Sequence, residues 1–156
     1  MPDTHQHAIN NAKAWLETIV SGVAAYKALQ QEEVETVAFD GETFESEDDL
    51  RERLEQGPLS IRVRNGWYSP GCASDAEPEE FEILLSTGGP ALRIIGEMGM
   101  WNRPERPVLQ WQDWGTPWTE HDLTRAEAEA LTAKAQADGR AAKPFPQLLF
   151  ICVHNA

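Results

Sequence analysis

Apolar residues recur every three or four positions near the start of the chain. The positions that share this spacing are Ile9, Ala12, Leu16, Ile19, Val20, Val23 and Tyr26. A helix turns once in about 3.6 residues, so this spacing places the apolar side chains on one face. The pattern therefore predicts an amphipathic helix that begins at Asp3 or Thr4 and runs to about Leu29. We interpret its apolar face as core packing.

Apolar and polar residues alternate on both sides of Gly88-Gly89-Pro90, and alternation of this kind is typical of paired strands. One face would carry Phe81, Ile83 and Leu85 from the first strand and Leu92, Ile94 and Met98 from the second. Glycine supplies the positive φ that a tight reversal requires. The stretch 81–98 is therefore predicted to be the central hairpin of an antiparallel sheet.

Local turn and cap signals place two elements between this first helix and the sheet. Asp40-Gly41 predicts a tight turn between two short strands. Ser46, with Asp49 three residues later, predicts the start of a second helix through an acidic variant of the capping box. Gly57 in a left-handed cap, followed by Pro58, would end that helix.

The remaining signals extend the sheet and add a third helix. Alternation over 59–64 predicts a strand before the central hairpin, and the apolar and aromatic run 108–114 predicts another after it. Thr124 and Glu127 form a capping box, which predicts a helix that closes at Asp138-Gly139.

Together these elements predict the fold class α+β. We expect an antiparallel β-meander sheet packed against the N-terminal helix, with a short hairpin and two further helices. The length of 156 residues suits one core, so we expect a single domain, 1–156. The run Leu148–Val153 is long enough for a buried strand, although a helical turn fits it as well.

The charge of the chain is strongly negative and unevenly distributed. There are 26 acidic residues against 13 Lys and Arg, giving a formal net charge of −13, and residues 1–56 hold 13 of the acids but only four of the bases. Direct binding to nucleic acid or to an anionic membrane needs a basic surface, so neither is expected. No apolar run approaches a membrane span and no secretory signal is visible, so we expect a cytoplasmic protein.

The densest acidic run is the first candidate for a functional surface. Its partner-binding candidates are Glu42, Glu45, Glu47, Asp48, Asp49, Glu52 and Glu55. One interpretation is a solvated surface with acids at a helix start, where the helix dipole favours them. The other is a charge array that imitates the phosphates of a DNA duplex and binds a basic, nucleic-acid-binding protein complex of the host.

Tryptophan is the second candidate, because five of the six tryptophans lie between Trp67 and Trp118. Trp67, Trp114 and Trp118, with Asp113, could form an exposed partner-binding rim, since tryptophan is favoured at interface hot spots. A small ligand pocket in the turn 111–120, using Asp113 and Glu120 as carboxylates, is an alternative. The third interpretation places Trp111 and some of its neighbours in the core of the sheet.

Residues that carry catalytic or metal chemistry are few and scattered. Cys72 lies in a loop rich in Gly, Ser and Pro, and no histidine is its neighbour in sequence. Cys152 and His154 could share a face of a strand, but a zinc site needs further ligands. We therefore expect no catalytic residues, no metal and no cofactor, and so a protein that is not an enzyme.

Three stretches carry a resemblance to a known family: Arg64–Gly71, Glu82–Glu97 and Trp111–Glu120. They resemble small acidic proteins carried on plasmids, integrative elements and prophages of proteobacteria, and Asn11–Leu16 extends the likeness loosely. The family has no established activity. What the resemblance implies is a mobile-element setting, in which small acidic proteins often antagonise host defence systems such as CRISPR or restriction.

These observations lead to one functional hypothesis and two alternatives. We expect a non-enzymatic, protein-binding inhibitor from a mobile element, which acts on a CRISPR or restriction effector through an acidic, DNA-mimicking surface. The first alternative is a small ligand-binding module or accessory enzyme that uses the Trp-rich turn 111–120. The second is a structural protein in an assembly of the element.

Overall fold

The structure, a computed structural model, describes residues 4–88 and 90–141, with side chains up to Asp138 in the last helix. The helices are α1 (Thr4–Gln30), α2 (Glu47–Glu55) and α3 (Arg125–Ala141). The strands are β1 (Val37–Phe39), β2 (Glu42–Phe44), β3 (Ser60–Asn65), β4 (Pro78–Ser86), β5 (Ala91–Met98), β6 (Pro104–Gln112) and β7 (Thr119–His121). Within these residues, no helix combines the length and the apolarity needed to cross a membrane.

Five strands form one antiparallel sheet in the order β3-β4-β5-β6-β7, which is a meander, and β1 and β2 form a separate hairpin. This architecture confirms the predicted α+β class. The central hairpin is confirmed as well, because β4 and β5 pair with Ile83 opposite Ile94 and with Phe81 opposite Gly96. Gly88 takes a φ of 100° in its turn, as a tight reversal requires.

One face of the sheet is covered by α1 and α3, and the main core lies between them. Its buried members are Ala8, Ala12, Leu16, Ile19, Phe81, Ile83, Leu85, Leu92, Ile94, Leu109, Trp111, Leu131 and Ala135. The predicted stripe of α1 and the predicted inner face of the hairpin therefore meet each other. A smaller cluster of Leu29, Phe39 and Leu50 attaches α2 and the β1–β2 hairpin to α1.

Several predicted boundaries are wrong. β6 begins at Pro104 and ends at Gln112, whereas the sequence predicts 108–114, because Pro104 can open the strand opposite Met98. β7 is not predicted at all, since three residues are too few to show alternation. α3 continues past Gly139 to Ala141. The run 148–153 lies outside the described residues.

The caps of α2 also differ from the prediction. Ser46 occupies the N-cap position, but its side chain makes no capping hydrogen bond. Gln56 closes the helix in a right-handed conformation, and Gly57 does not take a positive φ. The capping box of α3 is confirmed, because Thr124 Oγ1 accepts from the N–H of Glu127 at 3.2 Å and Glu127 Oε2 accepts from the N–H of Thr124 at 2.9 Å.

Candidate functional site

The acidic helix α2 is held against α1 by its two leucines. Leu50 is completely buried, and Leu54 lies so close to Gly22 that a Cβ on that glycine would sit 2.6 Å from Leu54 Cδ2. A helix turns by about 100° per residue, so Asp48 and Glu52 point away from Leu50. The packing of the leucines therefore presents the acids of α2 to solvent.

The acids predicted to bind a partner differ in their exposure. Those that are exposed are Glu42, Glu45, Asp48, Asp49 and Glu52, whereas Glu47 and Glu55 are half-buried. Glu47 Oε1 accepts a hydrogen bond from the hydroxyl of Tyr26 at 2.9 Å. This bond fixes the first turn of α2 to α1.

Two arginines on α2 offset part of this charge. Arg51 lies 2.9 Å from Asp48 and 3.7 Å from Glu55. Arg53 pairs with Asp40 and lies 3.9 Å from Glu42. Glu45, Asp49 and Glu52 form no ion pair with any described residue. Asp49 and Glu52 lie on α2, and Glu45 lies just before its N-cap residue, Ser46. We call these three exposed carboxylates the uncompensated acids of α2.

The predicted aromatic rim is divided between two ends of the sheet. Trp114 lies in the β6–β7 turn, at the end where Gln112 pairs with Ala91. Trp67 follows β3, at the end where Asn65 pairs with Pro78. Because β4 runs from the second end to the first, a single surface patch does not hold both tryptophans.

Asp113 faces the interior, whereas the rim interpretation places it at the surface. It is 6% exposed, its Oδ1 accepts from the N–H of Trp114 at 2.8 Å, and its Oδ2 lies 3.5 Å from His5 Nδ1. A hydrogen bond from the Thr4 side chain lowers the pKa of Asp113 most, and the Trp114 and His5 contacts lower it further. The carboxylate thus connects the β6–β7 turn with the first turn of α1.

Trp118 is half-buried on the sheet face that the helices leave uncovered. The guanidinium carbon of Arg93 lies 4.1 Å from the centre of its ring, a cation–π contact. Arg93 also donates to Glu82 Oε2 at 2.7 Å and to Gln110 Oε1 at 2.9 Å. Trp118 therefore supports an arginine network on the sheet rather than an exposed rim.

Glu82 is at the centre of this network, since it accepts hydrogen bonds from both Arg62 and Arg93. Partial burial opposes its ionisation, but the two arginines outweigh that effect and lower the pKa of Glu82. Arg64 pairs with Glu80, and Arg106 lies 3.1 Å from Glu97. The uncovered face of the sheet therefore carries a network of ion pairs between arginine and glutamate side chains.

Sequence reasoning missed Trp101, which is 89% exposed at the tip of the β5–β6 loop beside Met100, 78% exposed. Both residues lie in the loop that joins β5 to β6. The available signal was a large aromatic side chain between the two stretches that are predicted to be strands.

A second missed feature is a cavity of about 460 Å³ between α1, α2 and α3. Asp138 and Lys134 line it, and they are 1% and 7% exposed. Lys134 Nζ donates to the carbonyl of Leu54 at 3.2 Å and to Asp138 Oδ1 at 3.3 Å. Burial raises the pKa of Asp138 to about 6, with Lys134 acting against this shift and Glu55 adding to it.

The structure does not bring Cys72 and His121 together, since they follow or end the two opposite edge strands of the sheet, β3 and β7. Cys72 is half-buried in the β3–β4 loop, and His121 lies at the end of β7, whereas Cys152 and His154 lie outside the described residues. Within residues 4–88 and 90–141, no group of three or more His, Cys, Asp or Glu is placed to hold a metal ion.

Comparison of the chain with protein-family models, with curated proteins and with solved structures found no match.

Proposed function

We propose that this protein is a non-enzymatic inhibitor that binds a basic, nucleic-acid-binding protein of the host. The observation that carries the proposal is the set of uncompensated acids of α2, Glu45, Asp49 and Glu52, presented to solvent while Leu50 is completely buried behind them. Exposed like charges on a rigid helix raise the rate at which an oppositely charged partner associates.

The surroundings of these acids strengthen the field that a partner meets. Residues 31–56 contain 11 acids and two bases, so the two arginines of α2 leave most of the charge in place. A partner that ordinarily holds nucleic acid carries Lys and Arg in its binding channel. Such a channel would be attracted to this side of the molecule.

The helical spacing bears on mimicry of DNA. Asp48 and Glu52 stand four residues apart, which corresponds to about 6 Å along a helix axis. Each strand of duplex DNA carries one phosphate in about 3.4 Å of axis. The charge density of α2 is therefore within a factor of about two of a single strand, which supports imitation of one strand over a short length.

The biological setting is proposed from the resemblance of Arg64–Gly71, Glu82–Glu97 and Trp111–Glu120 to small acidic proteins of mobile elements. A protein carried on a plasmid or prophage benefits when host defence is blocked. We therefore propose a CRISPR or restriction effector as the target class. The acidic surface would occupy the nucleic-acid channel of that effector.

The test is charge reversal of the uncompensated acids. A variant with Glu45→Lys, Asp49→Lys and Glu52→Lys should associate with a purified CRISPR or restriction effector at least about tenfold more slowly. The matched control reverses three exposed acids elsewhere, Glu17, Glu120 and Asp122. Association rates are measured by surface binding at low and high salt, since the Debye length falls from about 10 Å at 0.1 M to about 3 Å at 1 M.

The proposal requires a larger loss for the α2 variant than for the control, together with weaker association at high salt. Binding that ignores salt and survives the α2 reversal would contradict it. Equal losses for both variants would also contradict it, because they would reflect net charge alone.

A further inference from the structure

Two loops at one end of the sheet present large apolar side chains. One loop joins β3 to β4 and contains Trp67, and the other joins β5 to β6 and contains Trp101. The pairing of Asn65 with Pro78 and of Met98 with Pro104 places both loops at the same end. β3 and β5 are two strand spacings apart, about 10 Å, so one extended peptide segment is long enough to reach both loops.

We call Trp67, Tyr68, Met100 and Trp101 the aromatic end. Their exposed fractions are 103%, 48%, 78% and 89%, respectively. Single exposed apolar residues are ordinary on protein surfaces, but here four large ones lie on two loops at the same end of the sheet, and concentrations of exposed apolar surface mark interaction sites. Tryptophan and tyrosine are also the residue types most enriched at binding hot spots.

Backbone contacts hold both loops in place. The N–H of Gly66 donates to the carbonyl of Glu77 at 2.9 Å, and the N–H of Gly99 donates to the carbonyl of Arg103 at 2.8 Å. Trp101 has a φ of 63°, which is unusual for a bulky residue. The tryptophans are therefore displayed on closed loops, and a partner would lose less conformational entropy in binding them.

Acidic side chains surround the aromatic end. Asp75, Glu77, Glu79 and Glu105 are all exposed, and none of them forms an ion pair with another residue that the structure describes. The nearby Arg64 and Arg106 are paired with Glu80 and Glu97. Arg103, two residues after Trp101, is exposed and forms no ion pair with a described residue. Four acids against this one arginine leave the rim with a net negative charge, which favours a basic partner over an acidic one.

We propose that the aromatic end docks a protein segment in which Lys or Arg alternates with apolar side chains. Its cations would meet the acidic rim and the faces of the indole rings, and its apolar side chains would pack on Trp67, Met100 and Trp101. This inference rests on the proposed function, because the segment would belong to the same basic partner. The acids of α2 would speed association, and the aromatic end would slow dissociation.

The probe is a short peptide of alternating Lys and Leu, compared with a peptide of alternating Lys and Ser of equal charge. We expect saturable binding of the Lys-Leu peptide, with quenching or a blue shift of tryptophan fluorescence. The double variant Trp67→Ala/Trp101→Ala should bind it about tenfold or more weakly, as measured by calorimetry. Circular dichroism verifies folding, which exposed substitutions should not disturb.

Trp114→Ala is the matched control, because Trp114 is 79% exposed but lies at the other end of the sheet. Its affinity for the Lys-Leu peptide should equal that of the unchanged protein. Equal affinity for the two peptides, equal losses in the control and the double variant, or unchanged binding by the double variant would each overturn the proposal. The α2 reversal separates the two proposals, since it changes association with the effector whether or not the aromatic end binds.

Discussion

Lys134 Nζ lies 3.0 Å from Asp138 Oδ2, one turn away on α3, and both side chains are buried. Lys134 also donates to the carbonyl of Leu54 at 3.2 Å, near the end of α2. The hydrogen bond from Lys134 therefore joins α3 to α2 at the cavity between them. Apart from this ion-pair contact, Asp138 Oδ2 accepts no hydrogen bond from the residues that the structure describes.

The first prediction is that stability rises as the pH falls from 7 to 5. Burial raises the pKa of Asp138 from 3.8 to about 6, so between these values the folded state binds the proton that the unfolded state has lost. The stabilisation is fully present below about pH 3.8 and is lost as the pH rises through 6. The whole shift corresponds to about 3 kcal/mol, of which about 1.3 kcal/mol develops between pH 7 and 5. Urea unfolding at pH 7, 6 and 5 measures that gain.

Other titratable groups either change charge in a different pH range or remain in both variants, so that their contribution to stability can be subtracted. The lowered pKa values of Asp113 and Glu82 mean that their stabilisation is lost only in more acidic solution. Glu55, Lys27 and Arg51 line the same cavity as Asp138 and stay in place in an Asp138→Asn variant. That variant should show a flatter pH profile than Asp122→Asn, which removes an exposed charge. Identical profiles would contradict the assignment.

The second prediction concerns Gly96, which pairs with Phe81. A Cβ at this position would lie 2.5 Å from Phe81 Cε1 and 2.7 Å from the carbonyl oxygen of Glu105. Gly96→Ala should therefore reduce the free energy of unfolding by about 1–3 kcal/mol through overpacking, as measured by chemical denaturation. Gly57→Ala is the control, because its Cβ would meet nothing nearer than Leu54 O at 3.5 Å. A denaturation midpoint for Gly96→Ala equal to that of Gly57→Ala would contradict this prediction, because it would show that the sheet accommodates the methyl group without loss of stability.

The third prediction is that Asp113→Ala loosens the start of α1. The carboxylate accepts from the N–H of Trp114 at 2.8 Å and lies 3.5 Å from His5 Nδ1, so its removal takes one interaction away from each of these groups. Hydrogen exchange should increase in the first turn of α1 and in the turn 113–116, whereas α2 stays protected. Because the pKa of Asp113 is lowered, its stabilisation is present at neutral pH and is lost as the pH falls through its folded-state value. Increased exchange in α2 as well would indicate global destabilisation instead.

The sequence predicted those features that depend on neighbouring residues. The stripe from Ile9 to Tyr26, the alternation around Gly88 and the capping box of Thr124 and Glu127 each join residues within a turn or a hairpin. In each of these features the local backbone geometry alone brings the interacting residues together. For this reason α1, the central hairpin and the start of α3 were predicted close to their observed positions.

Only the tertiary structure decided which of two neighbouring side chains is exposed to solvent. Asp113 and Trp114 are neighbours in the same turn, yet α1 covers the first and leaves the second exposed. The ends of β6 were likewise set by pairing with Met98 and Ala91 on β5, not by its own composition. Burial and strand ends depend on contacts with distant parts of the chain, and no local pattern encodes them.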